Sequence, residues 1–140
     1  MKIEVDQSGK IENSCDTVIA FSNKEQFTVL LPQKLKNKLL KSITPKRQAI
    51  YKIFARAVYC CIKDYLDIDK QIIMDDEYRK HGNDIKSYLL NDIRKEKQLF
   101  NKHLIIIRPI GEKSKAHKIA YQTFCCKLKP NKILTEKDFS

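Results

Sequence analysis

The chain is short of the residues that several familiar chemistries need. It has three glycines, Gly9, Gly82 and Gly111, too far apart to build a phosphate-cradling loop, and no G-x-S-x-G string to raise Ser8 as a nucleophile. Its five cysteines, Cys15, Cys60, Cys61, Cys125 and Cys126, are an odd set containing two adjacent pairs. That is neither a disulfide framework nor the C-x-x-C spacing of a zinc site, and it is read as small buried residues on helices. No apolar run approaches the roughly 20 residues of a membrane helix. The start of the chain, Met1-Lys2-Ile3-Glu4-Val5-Asp6, alternates and carries acids where a signal peptide would be continuously apolar. It reads as a strand and gives the expectation of an intracellular (cytoplasmic) location.

What is present is charge of one sign. Lysine and arginine total 28 against 17 acids, a formal net charge of +11 in 140 residues. The excess is spread along the chain, and nucleic acid is the natural polyanionic partner. The length fits one domain, expected over residues 1 to 130, with 131 to 140 as a C-terminal tail.

Periodicity gives the elements. Ile3 and Val5, Val18 to Phe21, and Phe27 to Leu31 read as three strands of a meander that Pro32 stops. Leu35 to Lys41 is expected to form only a turn or two of helix. Thr44 as N-cap and Pro45 at the first helical position then open a long helix with Ile50, Ile53, Phe54, Ala57, Val58, Cys61, Ile62, Tyr65 and Leu66 on one stripe. Arg47 and Arg56 lie off that stripe on a basic flank. The unalternating run Gln71 to Met74 reads as a fourth strand buried on both faces. A helix from Gly82-Asn83-Asp84, a strand from Leu104 to Ile107 and a last helix from about Ser114 to Leu128 complete the chain. The expected fold is α/β (mixed): a five-stranded mixed sheet, order β-β-β-α-β-α-β-α, with helices on both sides.

Two strands end in carboxylates. Asp6 precedes the turn-forming stretch Gln7-Ser8-Gly9-Lys10, and Asp75-Asp76-Glu77 closes the fourth strand. Asp75 and Glu77 face one way and Asp76 the other, so only one parity can meet Asp6, and Asp76 is the slightly favoured partner. His117 borders the buried face of the last helix and is a candidate ligand or proton carrier. Lys113, Lys115 and Lys118 around that helix start, with Arg47 and Arg56, are candidate phosphate contacts. The six tyrosines fall at helical spacings and read as packing.

This order, with its acids on strands one and four, resembles the ribonuclease H-like superfamily over roughly residues 1 to 128. The resemblance rests on topology and acid placement. It implies that Asp6 and one of Asp75, Asp76 or Glu77 bind Mg²⁺ or Mn²⁺ for phosphodiester hydrolysis, with Asp6, Asp76 and His117 catalytic. The chain departs from the family pattern in its first long helix, which has no acid before Asp64. Near the last helix the family's further acid or histidine has Glu112 and His117 as candidates. A metal-dependent nuclease is the leading expectation. A non-catalytic nucleic-acid-binding or assembly module on the same fold and a protein-interaction domain are the others.

Overall fold

A computed structural model describes residues 2 to 140. Strands β1 (Lys2–Ser8), β2 (Thr17–Ser22) and β3 (Gln26–Leu31) are followed by helices α1 (Gln33–Ser42) and α2 (Lys46–Ile62). Then come β4 (Gln71–Met74), α3 (Gly82–Arg94), β5 (Ile105–Ile107), α4 (Lys115–Phe124) and the two-residue β6 (Lys132–Ile133).

The strands form one mixed sheet of six, in the order β5-β4-β1-β2-β3-β6. Antiparallel pairing joins β1 to β2 and β2 to β3, as a meander requires. Parallel pairing joins β4 to β1 and β5 to β4, each strand having been reached through a helical connection. The sheet therefore has one strand more than the five expected. The addition comes from the presumed tail, where Lys132 and Ile133 run parallel to Val29 and Leu30. Leu134 N–H continues that pairing to the Leu30 carbonyl, and its side chain is buried.

Alternation in the strands divides the core. Ile3, Val5, Ile19, Phe21, Val29, Leu31, Ile72 and Met74 share one cluster with the buried stripes of α2 and α3. Val18 and Ala20, of opposite parity, pack instead against Ile119 and Ala120 of α4. Helices cover both faces, which is why every residue of β2 is buried. Ile72, Ile73 and Met74 are likewise buried in β4, between β1 and β5.

Four local expectations need correction. Strand β1 does not end at Asp6 but runs on to Ser8, because Gln7 and Ser8 still pair with Ile19 and Val18. Helix α1 has ten residues, and its buried positions are Lys36 and Leu39. Helix α2 starts at Lys46, with Pro45 as the boundary residue and no side-chain cap from Thr44. Of the cysteines, Cys60 and Cys61 are buried in α2, whereas Cys125 and Cys126 are exposed beyond the end of α4, a departure from the helical burial expected. No helix among the described residues is long and apolar enough to cross a membrane.

Candidate metal centre

The register of β1 and β4 builds the site. Val5 lies opposite Met74, and Asp75 N–H donates to the Val5 carbonyl at 3.1 Å, so the ladder continues one step past the end of β4. Val5 and Met74 both point to the α2 side. The next residues, Asp6 and Asp75, therefore both point to the α4 side, and Glu77 joins them from a tight turn in which its N–H donates back to the Asp75 carbonyl at 3.0 Å. One ligand atom from each of Asp6, Asp75 and Glu77 lies within 4.8 Å of the others. The carboxylates gather where β4 and β5 end and their parallel neighbour β1 runs on, the edge at which open α/β sheets commonly bind ligands.

Asp76 is not in this group. It lines a shallow depression of about 280 Å³ with Lys80, Gly82, Asn83, Lys86 and Ile107. The preference for Asp76 as the partner of Asp6 is thus replaced by Asp75 and Glu77, and the reason is the Val5 to Met74 register.

Each acid is held by its surroundings. Asp6 is 3% exposed; its Oδ1 accepts from the Gln7 N–H at 2.8 Å, and its Oδ2 lies 2.9 Å from His117 Nδ1. Ala20, opposite Asp6, packs on α4, and that contact brings His117 of the same helix down onto the carboxylate. Ser114 caps α4 by accepting from Ala116 N–H at 3.1 Å, which fixes the first turn carrying His117. Asp75 Oδ1 accepts from Ile110 N–H at 2.8 Å, tying the cluster to the segment after β5.

Glu77 is placed through its neighbour Tyr78, whose ring packs on Phe54 and Tyr51. The Tyr78 hydroxyl accepts from Ile11 N–H at 3.0 Å, so the β1 to β2 connection closes over the strand ends, with Ile11 itself buried. Lys36, fully buried, donates from Nζ to the Lys10 carbonyl at 3.1 Å and to Thr17 Oγ1 at 3.0 Å, clamping that connection near both ends. Burial pushes the Lys36 ammonium below its ordinary range. Tyr78 and Lys36 are the supporting residues that sequence reasoning missed. A lysine among the apolar positions of a helix was the available signal.

The electrostatics show how unbalanced the cluster is. No lysine or arginine forms an ion pair with its three carboxylates among the described residues; the one ionic contact is His117 to Asp6. Burial raises Asp6 above the usual carboxylate range, reinforced by Asp75 and opposed by the Gln7 N–H and His117. Glu77 is raised to about 7, first by burial, then by Asp75 and Asp6. A trio of hard oxygen donors with no lysine or arginine in ion-pair contact is the donor chemistry that Mg²⁺ and Mn²⁺ take, and an ion there would displace the proton that burial and crowding favour on Glu77.

The remaining candidates are scattered. Lys113, Lys115 and Lys118 are exposed around the start of α4, and Arg47 is exposed at the start of α2. Arg56 is engaged within the fold: it pairs with Asp92 at 2.9 Å and donates to the Asp138 carbonyl at 2.6 Å, tying α2 to α3 and to residues after β6. Glu112 is exposed and outside the carboxylate group, as is Asp64. No family model, curated protein or solved structure matches this chain.

Proposed function

We propose that the protein is a metal-dependent nuclease of ribonuclease H-like design, with Asp6, Asp75 and Glu77 as the ligands of Mg²⁺ or Mn²⁺. The observation that carries this reading is the convergence of three carboxylates within 4.8 Å where β4 ends beside its parallel neighbour β1. Strand order adds support, since the first-strand acid and the acids after the fourth lie side by side. A divalent ion held there would supply charge to activate water and to stabilise a phosphodiester leaving oxygen.

The chain's own groups have assignable parts in that scheme. Ile110 N–H and Gln7 N–H each hold one oxygen of Asp75 and Asp6, which fixes the two carboxylates beside the shared space. His117 holds Asp6 through Nδ1, leaving Nε2 to take up or deliver a proton at the site's edge. The net charge of +11 favours a polyanionic substrate in general, without selecting a sequence.

The test is incubation with single-stranded, branched and RNA–DNA hybrid substrates in Mn²⁺ or Mg²⁺, with Asp6→Asn and Asp75→Asn as controls. Metal-dependent cleavage lost in both variants supports the reading. Metal binding without cleavage of any substrate replaces it with the non-catalytic nucleic-acid module, which the acid-free α2 favours.

A further inference from the structure

The depression that Asp76 lines does not stand alone. It shares Asn83 and Lys86 with a second cavity of about 320 Å³, which continues along α3 to Lys102 and His103 before the edge strand β5. Together they make one groove on the α2 and α3 side of the sheet, across the chain from the carboxylate cluster because Asp76 alternates with Asp75, and it leads away along the open edge. Its chemistry is opposite to that of the cluster. Lys80, Lys86, Lys102 and His103 line it, with Asn83 and Ser87 between them, and Asp76 at its mouth is its one acid. None of the three lysines is in an ion pair among the described residues, although lysines elsewhere do pair, as Lys132 does with Asp138. Unpaired ammonium groups spaced along a concave path match a chain of phosphates better than a single anion.

We propose that this groove binds the backbone of single-stranded nucleic acid. A flexible single strand can follow such a path closely, which a stiff duplex cannot. No phenylalanine or tyrosine lines the groove, so it offers no stacking platform. Contacts fall on phosphates, and binding is indifferent to sequence and steeply dependent on salt. The assignment deepens the nuclease reading by naming the form of its substrate, and it rests on that reading for its functional meaning. Binding itself requires no metal.

The experiment is fluorescence anisotropy in EDTA with labelled single-stranded DNA and RNA of about a dozen nucleotides, a length within single-strand site sizes, at about 50 mM salt. In wild type the amide signals of Asn83, Ser87 and His103 are expected to shift on titration with the same oligonucleotides. The Lys86→Glu/Lys102→Glu variant is expected to lose about tenfold or more in affinity. Its slope of log affinity against log salt should fall by about 1.4, or about 0.7 for each lost phosphate contact. Lys24→Glu/Lys41→Glu, which changes net charge equally at exposed sites elsewhere, should stay within about twofold of wild type. The proposal is overturned if both double variants lose affinity alike, if duplex binds more tightly than single strand, if polyglutamate competes as well as the oligonucleotide, or if the groove amides do not shift. Intact binding without cleavage would defeat the nuclease reading and leave the groove standing.

Discussion

His117 Nδ1 lies 2.9 Å from Asp6 Oδ2, so a half-exposed imidazole on α4 closes over a carboxylate buried in the centre of the sheet. The contact lowers the Asp6 pKa against the larger effect of burial. His117→Ala should therefore move the pH dependence of metal binding upward, because Asp6 ionises less readily without its partner. Cleavage should fall by about 10²-fold, the lower end of what a positioned acid or base contributes. Mn²⁺ titration across pH and single-turnover cleavage measure the two effects separately. Unchanged profiles in both would reduce His117 to a border residue.

Glu77 gives a second pH dependence, of definite sign. Its folded pKa of about 7 lies above the ordinary value of 4.5, so the folded state holds the proton more tightly than the unfolded chain. The stability linked to this group is fully present below pH 4.5 and is lost as pH rises through about 7. Thermal melting of metal-free protein should fall across that window, and Glu77→Gln should flatten the decline. Added Mn²⁺ should restore wild type above the window and leave Glu77→Gln nearly unaffected.

Lys36→Ala removes a buried side chain that donates to both the Lys10 carbonyl and Thr17 Oγ1. The loss of packing and of two hydrogen bonds should cost about 3 kcal/mol. Urea unfolding would measure it. A cost below about 0.5 kcal/mol, typical of surface changes, would show that Lys36 does not hold the β1 to β2 connection.

Gly9 opens the same connection with φ +80°, and a Cβ there would lie 2.3 Å from the Asp16 carbonyl and 2.6 Å from the Phe124 ring. Gly9→Ala combines left-handed strain with a backbone clash, so it should destabilise by more than about 1 kcal/mol. It should also loosen α4 through Phe124, which amide exchange in residues 115 to 124 would detect.

Much of this architecture was legible because it follows from apolar spacing. The stripe of α2 and the unalternating Gln71 to Met74 run are direct records of burial on one side and on two. Elements whose burial breaks the pattern were harder to read. Lys36 interrupts the inner face of α1 and hides a ten-residue helix, and β6 is two residues long, too short for any period. At the site, Asp6 and the acids after β4 were visible as strand-end carboxylates. Choosing among Asp75, Asp76 and Glu77 required the register of Val5 against Met74, a relation between segments about 70 residues apart. The groove was invisible for the same reason. Lys80, Lys86 and Lys102 are ordinary surface lysines until α3 and β5 are set side by side.

The most direct test of the metal centre is calorimetric titration of Mn²⁺ into metal-free wild type and into Asp6→Asn and Asp75→Asn, above the pH at which Glu77 ionises. The account predicts saturable binding in wild type, accompanied by a rise in melting temperature, with both abolished or severely weakened in each variant. Equal binding in all three proteins, or none in wild type, would contradict it.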